Sequence, residues 1–306
     1  MDILQLKGVS KSFGGDPVLD KVSFSVREGE LFGLIGINGC GKTTLLKLLV
    51  GFYAPDSGVV LYKGKPLEKV KNLVKREIGF TTQENSFYSK LTVEENIRYF
   101  GSLYGLHGKT LRERTEQVLA LLDLLDARLK LAEHLSGGMQ SRLDMACSLV
   151  QDPRVLILDE PTEDLDPALR REIVRLIRKI NSLGTTVIMT THILEDVEDL
   201  CDRVAVLHRG TITHLGSVDD LRTLLRKKDE LVVETASGNY HEMIRQLGLQ
   251  EFALHDGKLL IHTTNAQGLL PAVLSYAARQ GDTVRAVTIT RPSLREIFED
   301  LTGRDL

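Results

Sequence analysis

Nine consecutive residues, Gly36-Ile37-Asn38-Gly39-Cys40-Gly41-Lys42-Thr43-Thr44, have the types and spacing to hold a polyphosphate. They fit the pattern GxxxxGK(S/T). The glycines let backbone N–H groups turn inward around phosphate oxygens. Lys42 is the residue to reach the β and γ phosphates, and the Thr43 hydroxyl is the one to bind Mg²⁺. Thr44 is a candidate contact to the α phosphate. A helix starting here would point its positive end at the anion. A second chemical string is Val155-Leu156-Ile157-Leu158-Asp159-Glu160. It is an apolar run that ends in two carboxylates. Asp159 suits a Mg²⁺ held through water, and Glu160 suits a base that orients an attacking water. Taken alone, the second string is equally an acidic strand end with no chemistry.

The elements around these strings support the first reading. Leu31 to Ile35 is a short apolar run, as in a strand buried on both faces, and Thr44 to Val50 is helical in pattern. Before them, Ile3 to Val26 reads as strands and turns, with Gly14-Gly15-Asp16-Pro17 as a turn. From Thr92 to Leu131 the chain is mostly helical. Thr92 and Glu95 form a capping box, and Leu111 to Leu125 repeats at helical spacing. Asp166-Pro167 starts another helix, whose apolar stripe is Leu169, Ile173, Leu176, Ile177 and Ile180. Thr186 to Met189 is a strand and Leu194 to Leu200 a helix. Val204 to Leu207 and Ile212 to Leu215 form a hairpin around Arg209-Gly210. Strands alternating with helices predict an α/β domain with a mainly parallel sheet, residues 1–216. The charged stretch Arg226-Lys227-Lys228-Asp229-Glu230 falls in a linker or solvated helix end, residues 217–230. Residues 231–306 then read β-α-β-β-α-β, a ferredoxin-like α+β domain, with a last helix starting at Pro292-Ser293.

A third string identifies a relationship. Leu135-Ser136-Gly137-Gly138-Met139-Gln140 matches the signature of ATP-binding-cassette (ABC) ATPases and precedes Asp159-Glu160 by the separation typical of them. SGG alone is a common loop string; between a phosphate loop and a DE strand it is specific. The resemblance covers roughly residues 3 to 216. It implies a P-loop NTPase cassette with an antiparallel β subdomain and a helical subdomain. Phe13 stands where the family stacks an aromatic, usually Tyr, on adenine. Gln83 matches the glutamine that touches Mg²⁺ and water and links to the transmembrane partner. His192 matches the switch histidine at the γ phosphate, and Asp166 the loop that crosses the dimer. The implied mechanism is a head-to-tail homodimer around two ATP–Mg²⁺. Each ATP lies between Lys42 of one copy and Ser136, Gly137, Gly138, Met139, Gln140 and Asp166 of the other. Hydrolysis through Glu160, His192, Gln83 and Lys42 then separates the copies. One departure stands out. Where the family commonly has small residues, this chain has Glu163 and Asp164, and two carboxylates near a triphosphate repel it unless they point away or meet a cation.

The tail, Pro292-Ser293-Leu294-Arg295-Glu296-Ile297-Phe298-Glu299-Asp300-Leu301-Thr302-Gly303, resembles the closing helix of exporter-type cassettes, similar to the drug-resistance and ABC-2 type subunits. The expected function is therefore the ATPase of an exporter that works with a separate transmembrane permease. Two other functions compete with it. A non-transport ABC ATPase usually carries two cassettes or a long coiled-coil insertion, and neither is present. A slow-turnover, ATP-gated regulatory module is supported only by Glu163 and Asp164.

Bulk composition agrees. The 306 residues suffice for one large and one small domain, and 42% hydrophobic with 26% charged residues is ordinary for a globular chain. A net charge of −3 argues against nucleic acid as the main partner. Cys40, Cys147 and Cys201 are too far apart for a CxxC pair, and suit reduced thiols in the cytosol. No apolar run approaches the roughly 18–20 residues of a membrane span, and Met1-Asp2-Ile3-Leu4 does not begin a signal peptide. A cytoplasmic protein is expected, peripheral on the inner membrane face through its permease. His255 and His262 are expected to face each other across a hairpin, too weak a pair for a metal site.

Overall fold

The computed structural model describes residues 1–82, 86–224, 229–263 and 265–290. These fall into two compact units, Met1–Val218 and a second that starts at Asp219.

The first unit begins with an antiparallel sheet. Strand β1 (Asp2–Phe13) turns at Gly14 and Gly15, both at positive φ, into β2 (Asp16–Arg27). After them come in sequence β3 (Leu31–Ile35), helix α1 (Lys42–Leu49), β4 (Ser57–Tyr62) and β5 (Lys65–Pro66), and the antiparallel sheet runs in the order β2-β1-β4-β5. Next are α2 (Lys71–Glu77), β6 (Ile78–Thr81), α3 (Val93–Leu103), α4 (Gly108–Leu121), α5 (Gly137–Leu149) and β7 (Val155–Asp159). Then follow α6 (Pro167–Ser182), β8 (Thr186–Thr191), α7 (Leu194–Leu200), β9 (Arg203–His208) and β10 (Thr211–Gly216), before α8 (Val218–Leu224) leads into the second unit. The second sheet has the order β10-β9-β3-β8-β7-β6. Its strands β9, β3, β8, β7 and β6 are parallel, and β10 closes one edge as an antiparallel hairpin with β9.

The central strands are buried on both faces because each feeds two cores. Leu156, Leu158, Val187 and Met189 pack with α3 to α6, whereas Val155, Ile157, Ile188, Phe32 and Leu34 pack with α1 and the antiparallel sheet. Alternate side chains of a strand leave on opposite faces, so an unbroken apolar run is required. The predicted stripe of α6 is buried at Ile173, Leu176, Ile177 and Ile180, while Leu169 is only half-buried. Leu169 meets another neighbour: a Cβ at Gly138 would come within 3.0 Å of its Cδ2. The Thr92–Glu95 capping box forms in full, with Glu95 N–H donating to Thr92 Oγ1 at 3.2 Å and Thr92 N–H to Glu95 Oε2 at 2.8 Å.

The second unit contains β11 (Asp229–Thr235), α9 (His241–Gln246), β12 (Phe252–His255), β13 (Lys258–Thr263), α10 (Ala266–Arg279) and β14 (Val284–Thr290). Its sheet is antiparallel throughout, in the order β12-β13-β11-β14, which is the ferredoxin-like arrangement. Within residues 217–230, α8 occupies Val218–Leu224 and β11 begins at Asp229, so the expected linker is partly regular structure. The helix expected from Pro292-Ser293, and the exporter-like tail it carries, lie outside the described residues. His255 and His262 do not face each other. The two-residue turn Asp256-Gly257 pairs His255 with Lys258, which puts His262 beside Glu251 through its N–H, 3.0 Å from Glu251 O.

Candidate functional site

The loop after β3 is shaped by glycine where nothing larger fits. A Cβ on Gly36 would lie 2.5 Å from both Cys40 Sγ and Leu207 O. Gly39 and Gly41 have φ 79° and 111°, the left-handed region that glycine enters without strain. Gly41 is the N-cap of α1, with Leu45 N–H donating to Gly41 O at 2.9 Å and no side chain capping the helix. The first N–H groups of α1 are therefore left for a ligand. Together Val18, Asn38, Gly39, Gly41, Lys42, Thr43, Thr44 and Glu160 line a cavity of about 410 Å³. Thr43, Asn38 and Gly39 are exposed in it. Ile37 is half-buried and Cys40 buried; burial pushes the Cys40 thiol up, with Lys42 opposing.

Lys42 is the buried cation of this loop, 6% exposed. Its Nζ donates to Gly36 O at 2.7 Å and lies 3.1 Å from Glu160 Oε1. The second contact is an ion pair without hydrogen-bond geometry, so Oε1 keeps its lone pairs uncommitted. An incoming phosphate can take Lys42 over from Glu160, because both are anionic acceptors.

Asp159 and Glu160 end β7 and are organised by β8 beside it. Glu160 N–H donates to Thr190 Oγ1 at 2.9 Å, and Thr190 Oγ1 donates to Asp159 Oδ1 at 2.6 Å. That leaves Asp159 Oδ2 buried with no hydrogen-bond partner. An unpartnered buried carboxylate oxygen, next in sequence to the Glu160 that lines the phosphate-loop cavity with the exposed Thr43, fits a hard divalent cation. Glu160 Oε2 accepts from His192 N–H at 3.2 Å and lies 3.0 Å from His192 Nδ1. Lys42, Glu160 and His192 thus form one contiguous line.

The signature residues stand elsewhere in the chain. Ser136 is the exposed N-cap of α5, Gly137 and Gly138 open that helix, and Gln140 N–H donates to Ser136 O at 2.9 Å. Gly137 and Gln140 line a second cavity of about 210 Å³ with Asp144, Asp159, Glu160, Glu163 and Asp164. Ser136, Gly138 and Met139 line neither of these two cavities. Met139 packs against the helical core. Glu163 and Asp164 border the second cavity and not the phosphate-loop cavity, and Asp164 holds φ 58°. Asp166 caps α6, accepting from Ala168 N–H at 2.9 Å and Leu169 N–H at 3.1 Å. Phe13, at the end of β1, is 41% exposed and meets Tyr53 edge-on at 5.1 Å. It does not line the phosphate-loop cavity; Val18 of β2 does. Gln83 lies outside the described residues.

Two participants escaped the sequence reading. Thr190 belongs to no motif, and its role follows from the register that puts it opposite Asp159. Asp144 sits in the middle of an ordinary helical run, yet it is 6% exposed and accepts from Ser86 N–H at 2.9 Å.

The chain resembles known proteins over both units. A profile for the ABC transporter family matches residues 19–163, and one for "ATP-binding protein DrrA1-3-like, C-terminal domain" matches residues 216–302. The linearmycin resistance ATP-binding protein LnrL of Bacillus subtilis is 33% identical over 311 residues, covering 99% of each chain. The Nod factor export ATP-binding protein I of Sinorhizobium fredii is 34% identical, covering 99% of this chain and 87% of that one. The daunorubicin resistance ATP-binding protein DrrA3 of Streptomyces coeruleorubidus is 32% identical, covering 99% and 96%. A solved structure of cbiO1 from Clostridium perfringens, part of the ABC transporter complex cbiONQ, aligns with TM-score 0.68 at 28% identity, over 81% of this chain and 95% of that one. With the phosphate loop, the acidic strand end and the signature helix each in place, the chain belongs to the ABC transporter family, as one of its ATP-binding, ATP-hydrolysing subunits.

Proposed function

We propose that this chain is the ATPase of an exporter, closing as a homodimer around two ATP molecules to drive a separate transmembrane permease. The observation that carries the reading is the line Lys42–Glu160–His192 beside the free Oδ2 of Asp159. Relatives named for drug resistance and Nod factor export support export as the direction. Among the described residues no helix is long and apolar enough to cross a membrane, which fits a permease on another chain and a place on the inner membrane face.

Lys42 and the N–H groups of the phosphate loop bind the β and γ phosphates, and Phe13 offers a ring face to adenine. Thr43, Asp159 and Gln83 would hold Mg²⁺, which would supply positive charge against the phosphates. Glu160 orients the attacking water, and His192 holds Glu160 and reads the γ phosphate. Ser136, Gly137 and Gly138 open a helix with no side-chain cap, so their N–H groups suit the phosphate of a second copy. Met139, Gln140 and Asp166 of that copy complete the closed site.

The solution mass of Glu160→Gln, with and without ATP and Mg²⁺, tests this. The substitution keeps the side-chain shape and removes the base. A mass that doubles only with ATP and Mg²⁺ is expected. A chain that binds ATP and stays monomeric would overturn the homodimer.

A further inference from the structure

The contact between Glu160 and His192 is one of two rungs joining the same pair of segments. Two residues beyond Glu160 comes Thr162, and four beyond His192 comes Asp196. The Thr162 hydroxyl donates to Asp196 Oδ2 at 2.5 Å. Arg170, on α6, donates through Nε to Asp196 Oδ1 at 2.7 Å. Thr162 is 1% exposed and Asp196 2%. Both carboxylate oxygens are therefore committed, one to the segment after Glu160 and one to the helix that Asp166 caps. Hydrogen bonds to a buried ionised group are short and strong, and removing either partner leaves the other desolvated and unpaired.

We infer that Asp196 is a positioning residue for ATP hydrolysis, clamping the segment after Glu160 and the start of α6 to the helix after His192. Asp196, Thr162 and Arg170 line neither of the two cavities, so the clamp acts through Glu160, His192 and the Asp166 loop. It sets where the base stands and leaves the grip on nucleotide, which comes from Lys42 and the phosphate loop, unchanged. The inference rests on the proposed roles of Glu160 and His192.

The test uses the full chain and steady-state ATP hydrolysis. Thr162→Val keeps the shape and deletes the hydroxyl. Its kcat should fall about tenfold, as small displacements of a reacting group cost that much or more, while KM for ATP stays within about twofold. Thr162→Ser should return kcat to within about twofold of the wild type. Asp196→Ala, which also frees Arg170, should fall at least as far, and the double substitution should fall no further than Asp196→Ala, because that change already removes the hydrogen bond Thr162→Val deletes. A Thr162→Val enzyme with wild-type kcat, losses that multiply in the double variant, or a Thr162→Ser enzyme as slow as Thr162→Val would each overturn the clamp. Should Asp196→Ala fail to fold, the valine and serine variants decide. Wild-type turnover and its loss in Glu160→Gln report on the function itself, and the ratios to wild type report on the clamp.

Discussion

Glu160 holds φ 50°, a left-handed backbone that costs a non-glycine residue about 1–2 kcal/mol. The conformation persists because its N–H is bound by Thr190 and its two carboxylate oxygens meet His192 and Lys42. Backbone strain held by surrounding contacts is common where a side chain must be aimed. Asp144 shows the opposite economy. Burial raises its carboxyl from the ordinary 3.8 to about 6, and the Ser86 N–H bond only partly offsets this. A raised carboxyl contributes stability that is complete below about 3.8 and is lost as pH rises through about 6. Asp144→Asn keeps an acceptor for Ser86 and cannot ionise. Its melting temperature relative to wild type should therefore be higher at pH 8 than at pH 5. An equal difference at both pH values, read by thermal melts, would sink that account.

At the scale of elements, two helices of the frame carry side-chain caps, whereas α1 and α5, like α2, α4 and α7, carry none. Helix α3 has a complete capping box and α6 an aspartate cap followed by proline. Helices α1 and α5, which open on Gly41 and on Ser136, have no side-chain cap. Their first-turn donors are thus spared for phosphate in the proposed function. Thr92→Ala should cost about 1 kcal/mol, through loss of the α3 cap. That corresponds to a melting temperature lower by about 2–4 °C. Nucleotide affinity should not change, since α3 contributes no residue to the phosphate-loop cavity. A parallel loss of ATP affinity in a titration would contradict this separation.

Across the whole molecule, the parallel sheet is the shared wall of two cores. One holds α3 to α6, the other α1 and the antiparallel sheet. The second unit has a core of its own, around Leu231, Val233, Leu259, Ile261 and Val273. A unit that buries its own apolar residues can fold as a domain. Removing residues 219–306 should leave a chain that melts cooperatively and binds ATP like the full protein. Loss of cooperative melting or of nucleotide binding in the truncated chain would show that the second unit completes the first.

The chemical strings could be read in order along the chain because each is local. Lys42 and Thr43 lie in one loop, and Asp159 and Glu160 end one strand whose run of buried residues announces itself. Helix starts at Thr92 and Asp166 were legible for the same reason, since a cap needs only its next three residues. The run from Ser57 to Thr81, with β4, β5, α2 and β6, carries no comparable local signal. Its strands are short, and β5 is held only by cross-strand pairing with β4. Register also decided what no spacing could. It set Thr190 opposite Asp159 and moved His262 away from His255, while the packing of α6 and α7 gave Asp196 both Thr162 and Arg170. Sequence alone picked out the residues to which the proposed chemistry is assigned, because motif geometry is short-range. Only the tertiary structure decided which buried polar groups hold them, because those partners are distant in sequence, 34 residues for Thr162 and Asp196 and more for Lys42 and Glu160, and meet only when the sheet is built.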